Sequence, residues 1–384
     1  MALPPEVWAV FTAKTARTLC YGFLGIALPV YLSELGLGAT AIGVAVTLTL
    51  AGSAGLTWAV RRPAERWGGR AALLALAGLS ALAALLLLGT RAPWLVVLGA
   101  ILGNVAVGAG ETGPFLALEQ VVVARAVAPA RRTLVLSVYN FLGYGAAALG
   151  AGVLRFGPAY GLLFAAFLAA ALVQALAYAR LGPGARPERR APAGAPPSAP
   201  LIRKLAALFA LDAFAGGFVL QSLVAYFLHV RFGLGLEALG VVFFATSLLT
   251  AVSLLLAARA AARFGLLPTM VVSHLVSNVV LIAIAAAPSA VVAILLLCVR
   301  HLLSQMDVPT RQAYVMAVVE DREREAAATV TNLARTVAQA VTPSVTGWVM
   351  QAVALSAPFA LGGALKIVYD LLLWWTFRDV KLRD

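Results

Sequence analysis

The chain has 384 residues, 62% of them hydrophobic and only 12% charged, with a formal net charge of +13. A soluble domain is about 45–50% apolar and about 25% charged. With a mean hydropathy of +0.94, this composition excludes a soluble globular protein and points to an integral membrane protein, whose apolar runs of about 20 residues each cross the bilayer as a helix.

Twelve spans are predicted, near residues 8–32, 40–60, 71–90, 94–119, 133–155, 158–179, 205–229, 238–258, 268–287, 290–318, 326–350 and 357–377. The N-terminus, M-A-L-P-P-E, lacks the basic n-region of a cleavable signal, so the first span is expected to be retained. That span carries Lys14 and Arg17, three apart and therefore on one helix face. Cys20 and Cys298 both fall inside predicted helices, so no disulfide is expected. Span 4 carries Glu111 within G-A-G-E-T-G-P, and Glu119 nearer its end. Residues 181–204 are rich in Pro, Gly and Arg and read as a flexible cytoplasmic linker between a first six-helix bundle, 1–180, and a second, 205–384. Span 7 holds Asp212, followed by Ala215–Gly217. Span 10 holds Arg300, His301, Asp307, Pro309 and Arg311. Span 11 holds Arg335, and span 12 holds Lys366 and Asp370.

An ionised side chain at the bilayer centre costs about 2.5–3.5 kcal/mol on insertion scales, so charges there face the bundle interior and pair. Asp307 and Arg311 are four apart, and Pro309 is expected to loosen the helix between them. Lys366 and Asp370 are also four apart and are expected to neutralise each other.

Loop charges set the orientation. With both termini in the cytoplasm, 20 basic residues lie on the cytoplasmic side, 3 on the other and six within spans. The positive charge is therefore read as loop placement against anionic lipid, and nucleic-acid binding is not expected.

The halves also echo each other. Asn140, in L-S-V-Y-N-F-L-G, aligns with Asn332, in A-T-V-T-N-L-A-R, and Pro114 with Pro309. Parallel six-helix repeats are how many transporters build a midplane site. The loop after span 2 reads R-R-P-A-E-R-W-G-G-R, and a shorter copy, A-R-F-G, ends at Gly265. Twelve spans, a basic central linker and this loop resemble the major facilitator superfamily, whose loop signature is G-x-x-x-D-R-x-G-R-R. Glu65, Arg66, Gly68 and Arg70 match it in type, whereas Arg61 and Gly69 depart from it.

The resemblance implies an all-α fold of two pseudo-symmetric six-helix bundles and transport by alternating access. It implies a gating role for the loop, here Glu65, Arg66, Gly68 and Arg70. It places spans 1, 4, 7 and 10 around a central cavity, so Arg17 is expected to pair with Glu111. A carboxylate held between burial and a cation is a candidate proton carrier, which nominates Glu111, Asp307 and, second, Asp212. The expected substrate and proton pathway comprises Lys14, Arg17, Glu111, Asn140, Asp212, Arg300, Asp307, Arg311, Asn332 and Arg335. His301, beside Arg300, is read as a hydrogen-bonding core residue. His229, at a helix end, and His274, on a peripheral span, are given no role. Asn104 and the proline-free G-A-A-A-L-G-A-G of span 5 depart from the superfamily's proton-coupled drug exporters.

The sequence thus predicts a secondary transporter of a small organic solute, by proton-coupled export or as an organic-anion carrier with a basic central site. A non-transporting receptor on the same fold is the third possibility. It carries no phosphate-cradling G-x-x-x-x-G-K-[ST], no metal-ligand spacing and no nucleophile constellation, so neither an enzyme nor a cofactor or metal site is expected. A monomer in a bacterial inner membrane is expected, with both termini cytoplasmic.

Overall fold

The computed structural model describes residues 3–108, 113–182, 199–319 and 324–380, and every regular element among them is helical. Before the linker come α1 (Pro5–Glu34), α2 (Ala39–Ala59), the short α3 (Arg61–Trp67), α4 (Gly69–Gly89), α5 (Pro93–Leu102), α6 (Pro114–Ala126), α7 (Pro129–Val153) and α8 (Tyr160–Ala179). After it come α9 (Ala199–Gly217), α10 (Gln221–Phe232), α11 (Leu236–Phe264), α12 (Leu266–Ala285), α13 (Ala290–Ser304), α14 (Asp307–Val318), α15 (Arg324–Ala352) and α16 (Ala357–Phe377). α9 already begins at Ala199, so the end of the expected linker is helical, while residues 183–198 lie outside the described ones.

Ten helical stretches among the described residues are long and apolar enough to cross a membrane. The other two of the twelve expected spans are the fourth, split into α5 and α6, and the eleventh. At 1.5 Å per residue the 29 residues of α15 reach about 43 Å, ample for a bilayer. α15 falls short in hydropathy because it carries Asn332, Arg335, Thr336 and Gln339.

Three spans are interrupted: the fourth, the seventh between α9 and α10, and the tenth between α13 and α14. All three read from the sequence as single spans, with a loosening expected only in the tenth, at Pro309. The breaks in the seventh and fourth spans each have a local cause and a repair. At 218–220, after Gly216 and Gly217, three-residue hydrogen bonds replace helical ones, from Phe218 N–H to the Ala215 carbonyl and from Val219 N–H to the Gly216 carbonyl. In the fourth span, Asn104 takes the left-handed region at φ 50°, and the Tyr21 hydroxyl donates to the freed Gly103 carbonyl at 2.8 Å. Non-helical backbone at membrane depth survives only where such partners exist.

The tenth span corrects the reading of Pro309. The break lies at Gln305 and Met306, and Pro309 is the third residue of α14. In a first turn its missing N–H has no helical acceptor to lose. Asp307 and Arg311 therefore share one intact helix.

By mutual contacts the chain divides into two compact units: Met1–Gly38 with Val44–Arg190 and Val224–Phe244, and Ala39–Gly43 with Ala191–Leu223 and Ala245–Asp384. In the first unit α1 packs on α7 through missing side chains. A Cβ on Gly22 would run into the Ala147 backbone, and one on Gly150 into the Leu19 backbone. Such close approach gains van der Waals contact where lipid offers no hydrophobic drive. Helix hydroxyls turn back on their own carbonyls, as Thr18 does to Lys14 at 2.8 Å and Thr49 to Ala45 at 2.8 Å.

The outward surface is apolar, with Leu134, Leu176, Leu255 and Leu295 all exposed. Trp8, Trp58, Trp67, Trp94, Trp348 and Trp375 are exposed near helix ends, as membrane-interface tryptophans are.

Candidate functional site

Among the described residues, each unit buries one cluster of charge. In the first unit, Arg17 on α1 and Glu119 on α6 are both fully buried and form a two-pronged pair, Nη1 to Oε1 at 3.1 Å and Nη2 to Oε2 at 2.7 Å. The remaining capacity of the carboxylate is filled by the hydroxyls of Tyr139, at 2.6 Å, and Tyr178. Arg17 also donates to the Tyr178 oxygen at 2.9 Å and to Gln174 Oε1 at 3.3 Å, and stacks 4.3 Å above the Phe115 ring. Lys14 Nζ lies 4.3 Å from the centre of the Tyr139 ring. A buried ion pair survives desolvation only when its spare donors and acceptors are met; here four helices, α1, α6, α7 and α8, supply the partners.

Glu119, an acid for which no role was expected, is therefore the described acidic partner of Arg17. Glu111, the expected partner, lies outside the described residues. The visible clue to the cluster was Gln174 and Tyr178, two polar residues four apart in an apolar span.

In the second unit Asp212, near the end of α9 and 3% exposed, is the hub. Its Oδ1 accepts from Lys366 Nζ at 2.5 Å, and its Oδ2 from Arg335 at 2.8 Å and Arg311 at 3.3 Å. Arg311 turns back to Asp307 at 2.6 Å along α14. His274 on α12 stands beside the hub, with Nε2 3.7 Å from Asp212 Oδ1 and 3.4 Å from Lys366 Nζ. Its Nδ1 meets Asp370 Oδ1 at 2.7 Å, and Asn278 donates to Asp370 Oδ2 at 2.8 Å.

Two expectations are corrected here. Lys366 and Asp370 share a face of α16 but make no salt bridge to each other: Lys366 reaches Asp212 on α9, and Asp370 reaches His274 and Asn278 on α12. His274, given no role, bridges the two acids.

Of the other expected residues, Arg300 on α13 is half-buried with its Nε shut off from solvent and without a partner. It lies within electrostatic reach of Asp307 and Asp212. Asn140 and Asn332 are both exposed, and neither joins a cluster. In the loop after α2, Glu65 and Arg66 are exposed and Arg70 is half-buried. Gly68 ends α3 at φ 87°, ψ 161°, and Gly265 stands before α12 at φ 88°, ψ 164°. The two copies of the loop thus share one backbone shape. His301 sits 3.2 Å from the Thr250 hydroxyl on α11. No group of three or more His, Cys, Asp or Glu suited to a metal ion occurs among the described residues.

The family model described as Major Facilitator Superfamily matches residues 10–304 and, again, 206–384. The chain is 24% identical over 426 residues to the uncharacterized membrane protein YJR124C of Saccharomyces cerevisiae, covering 98% of this chain and 95% of that one. Among solved structures its fold is similar to that of the nucleoside transporter NupG, with a TM-score of 0.73 at 13% identity, over 97% of this chain and 99% of that one. The inward-open xylose transporter XylE from E. coli gives a TM-score of 0.72 at 15% identity, over 98% of this chain and 97% of that one. At such identities the likeness is one of fold.

Proposed function

We propose a function for this chain, which belongs to the Major Facilitator Superfamily: it moves a small organic solute across a membrane by alternating access, with protons as the coupling ion. The carrying observation is the Asp212 hub. One carboxylate holds cations from three helices, Lys366 on α16, Arg335 on α15 and Arg311 on α14. Adding a proton to this network removes one negative charge, or adds one positive charge, at the point where four helices meet. In a low-dielectric interior such a change is large enough to repartition the ion pairs. Asp212 also lies on the same span as the break at 218–220, where the seventh span can bend with little loss of backbone bonding. Glu65, Arg66 and Arg70 act as the gate in this reading. The excess of basic residues on one side of the spans supports cytoplasmic termini; we place the protein in a bacterial inner membrane and take the transporting unit to be a monomer.

A second reading, an organic-anion carrier, is favoured by one observation. Arg300 Nε is buried without a partner among the described residues, and the Arg335 side chain, bound to Asp212, is 25% exposed. A carboxylate- or phosphate-bearing solute would supply the acceptor that Arg300 lacks.

A thermal-shift screen of the purified protein at two pH values, with organic anions set against lipophilic cations and neutral solutes, tests both. A ligand that binds only the folded protein raises Tm by mass action. Proton coupling predicts a stabilisation whose size depends on pH and which loses that dependence in Asp212→Asn. Equal stabilisation at both pH values, unchanged in Asp212→Asn, speaks against it. Stabilisation by anions alone, lost in Arg300→Gln, selects the second reading.

A further inference from the structure

We infer that His274 is the residue that takes up the coupling proton, at Nε2, and that Asp370 holds it ready to do so; the assignment rests on the proton-coupled reading above. The side chain of His274 is 5% exposed and those of Asp370 and Asp212 are 1% and 4%. Asp370 Oδ1 lies 2.7 Å from Nδ1, and its other oxygen is fixed by Asn278 at 2.8 Å. The Asn278 amide nitrogen also lies 3.2 Å from Nδ1, but its shorter bond is the one to Asp370; with an ionised carboxylate that only accepts at 2.7 Å, Nδ1 carries the hydrogen and Nε2 presents a lone pair. That lone pair faces Lys366 Nζ at 3.4 Å and Asp212 Oδ1 at 3.7 Å.

Uptake of a proton forms an N–H bond at Nε2 and leaves an imidazolium between two carboxylates. Lys366 keeps its own protons and loses an acceptor, while Asp212 gains a second cation beside Oδ1. The pull of Asp212 on Arg335, the most exposed of its partners, is then shared with one more positive charge. The proton thus weakens the Arg335–Asp212 contact, one of the links between α15 and α9.

The elements packed against α12, and α9 at the hub, carry further titratable and charged groups. α16 brings Lys366, Asp370 and Tyr369, whose ring centre is 5.8 Å from that of His274. α14 brings Asp307 and Arg311, which are bound to each other. α13 brings Cys298, Arg300 and His301, the last turned to Thr250. α9 brings Asp212.

The chain has three histidines, so the test is direct. The full-length protein is labelled with 15N-histidine, purified in detergent and followed by NMR of the ring nitrogens from pH 9 to pH 5. His274 is assigned by elimination with His229→Gln and His301→Gln. The expected result is an Nδ1–H tautomer at high pH that converts to imidazolium as pH falls. Asp370→Asn should move that transition down by about one pH unit or more, a tenfold loss of proton affinity. Lys366→Met should move it up, and serves where Asp370→Asn fails to fold. An imidazole that stays neutral down to pH 5, or a transition unmoved by both substitutions, overturns the assignment. Solute-driven proton flux in proteoliposomes with a non-titrating His274 would remove His274 and leave proton coupling standing. A titrating His274 with solute flux but no proton flux would remove the coupling, and the assignment with it.

Discussion

Arg17 and Asp212 are 195 residues apart, the offset that also relates Pro114 to Pro309, and each anchors the buried charge cluster of its own unit. Arg17 on α1 pairs with Glu119 on α6; Asp212 on α9 pairs with Arg311 on α14. The two contacts join equivalent spans with the signs reversed. Gln174 and Tyr178 complete the first cluster from α8, and Lys366 reaches the second from α16, where Asp370 sits four residues on. The repeat has thus kept the positions of buried polarity while exchanging the charges. In the first unit the result is a closed pair tied by tyrosines; in the second it is an acid shared among several cations.

That difference sets the first prediction. Removing one member of a closed buried pair strands the other charge, at a cost of about 3–5 kcal/mol. Glu119→Gln and Arg17→Met should each lower the melting temperature of the detergent-purified protein strongly. The double variant Arg17→Met with Glu119→Leu should be more stable than either single, because no charge is left stranded. A double variant as unstable as the sum of the singles would show that the two residues act independently.

A second prediction concerns the α1–α7 contact. Gly150→Val drives a side chain into the Leu19 backbone and should abolish folded yield, whereas Gly145→Ala meets nothing within 4 Å. The alanine should be neutral or stabilising by up to about 1 kcal/mol through helix propensity. Size-exclusion profiles and melting curves of the two proteins check this.

The third concerns the paired turns. Gly68 and Gly265 occupy a backbone region open almost only to glycine, so Gly68→Ala and Gly265→Ala should each cost about 1–3 kcal/mol. The costs should agree within error, since φ and ψ nearly coincide and a Cβ at Gly265 finds only an ordinary contact with Pro268. A loss at one turn alone would mean that something other than backbone strain is being read.

Much of the fold was legible in the apolar runs, because a bilayer demands about 20 apolar residues per crossing whatever the partners. The breaks were less so. The glycines at 216 and 217 carried the signal of one without its being read as a break, and in the tenth span Pro309 pointed three residues past Met306, since a proline in a first turn is a helix starter. The site was legible as a set of residue types and not as a set of pairs. Lys366 and Asp370, four apart, looked self-sufficient, yet the helix presents both to neighbours with which each makes a shorter contact. His274 and Asn278 carried the same four-residue spacing in an otherwise apolar span, a signal of equal strength that went unused. Which helices adjoin is decided by packing, and spacing along one helix is silent about it.

The central claim is that solute movement is coupled to protons through the second unit. Its most direct measurement is the lumenal pH of proteoliposomes loaded with a pH-sensitive dye, on addition of a solute that stabilises the protein in the thermal-shift screen. The account predicts a solute-dependent change in lumenal pH, its sign distinguishing exchange from cotransport. The change should be absent in Asp212→Asn protein that still binds the solute. Solute uptake with the lumenal pH unmoved, or an unaltered pH change in Asp212→Asn, would contradict it.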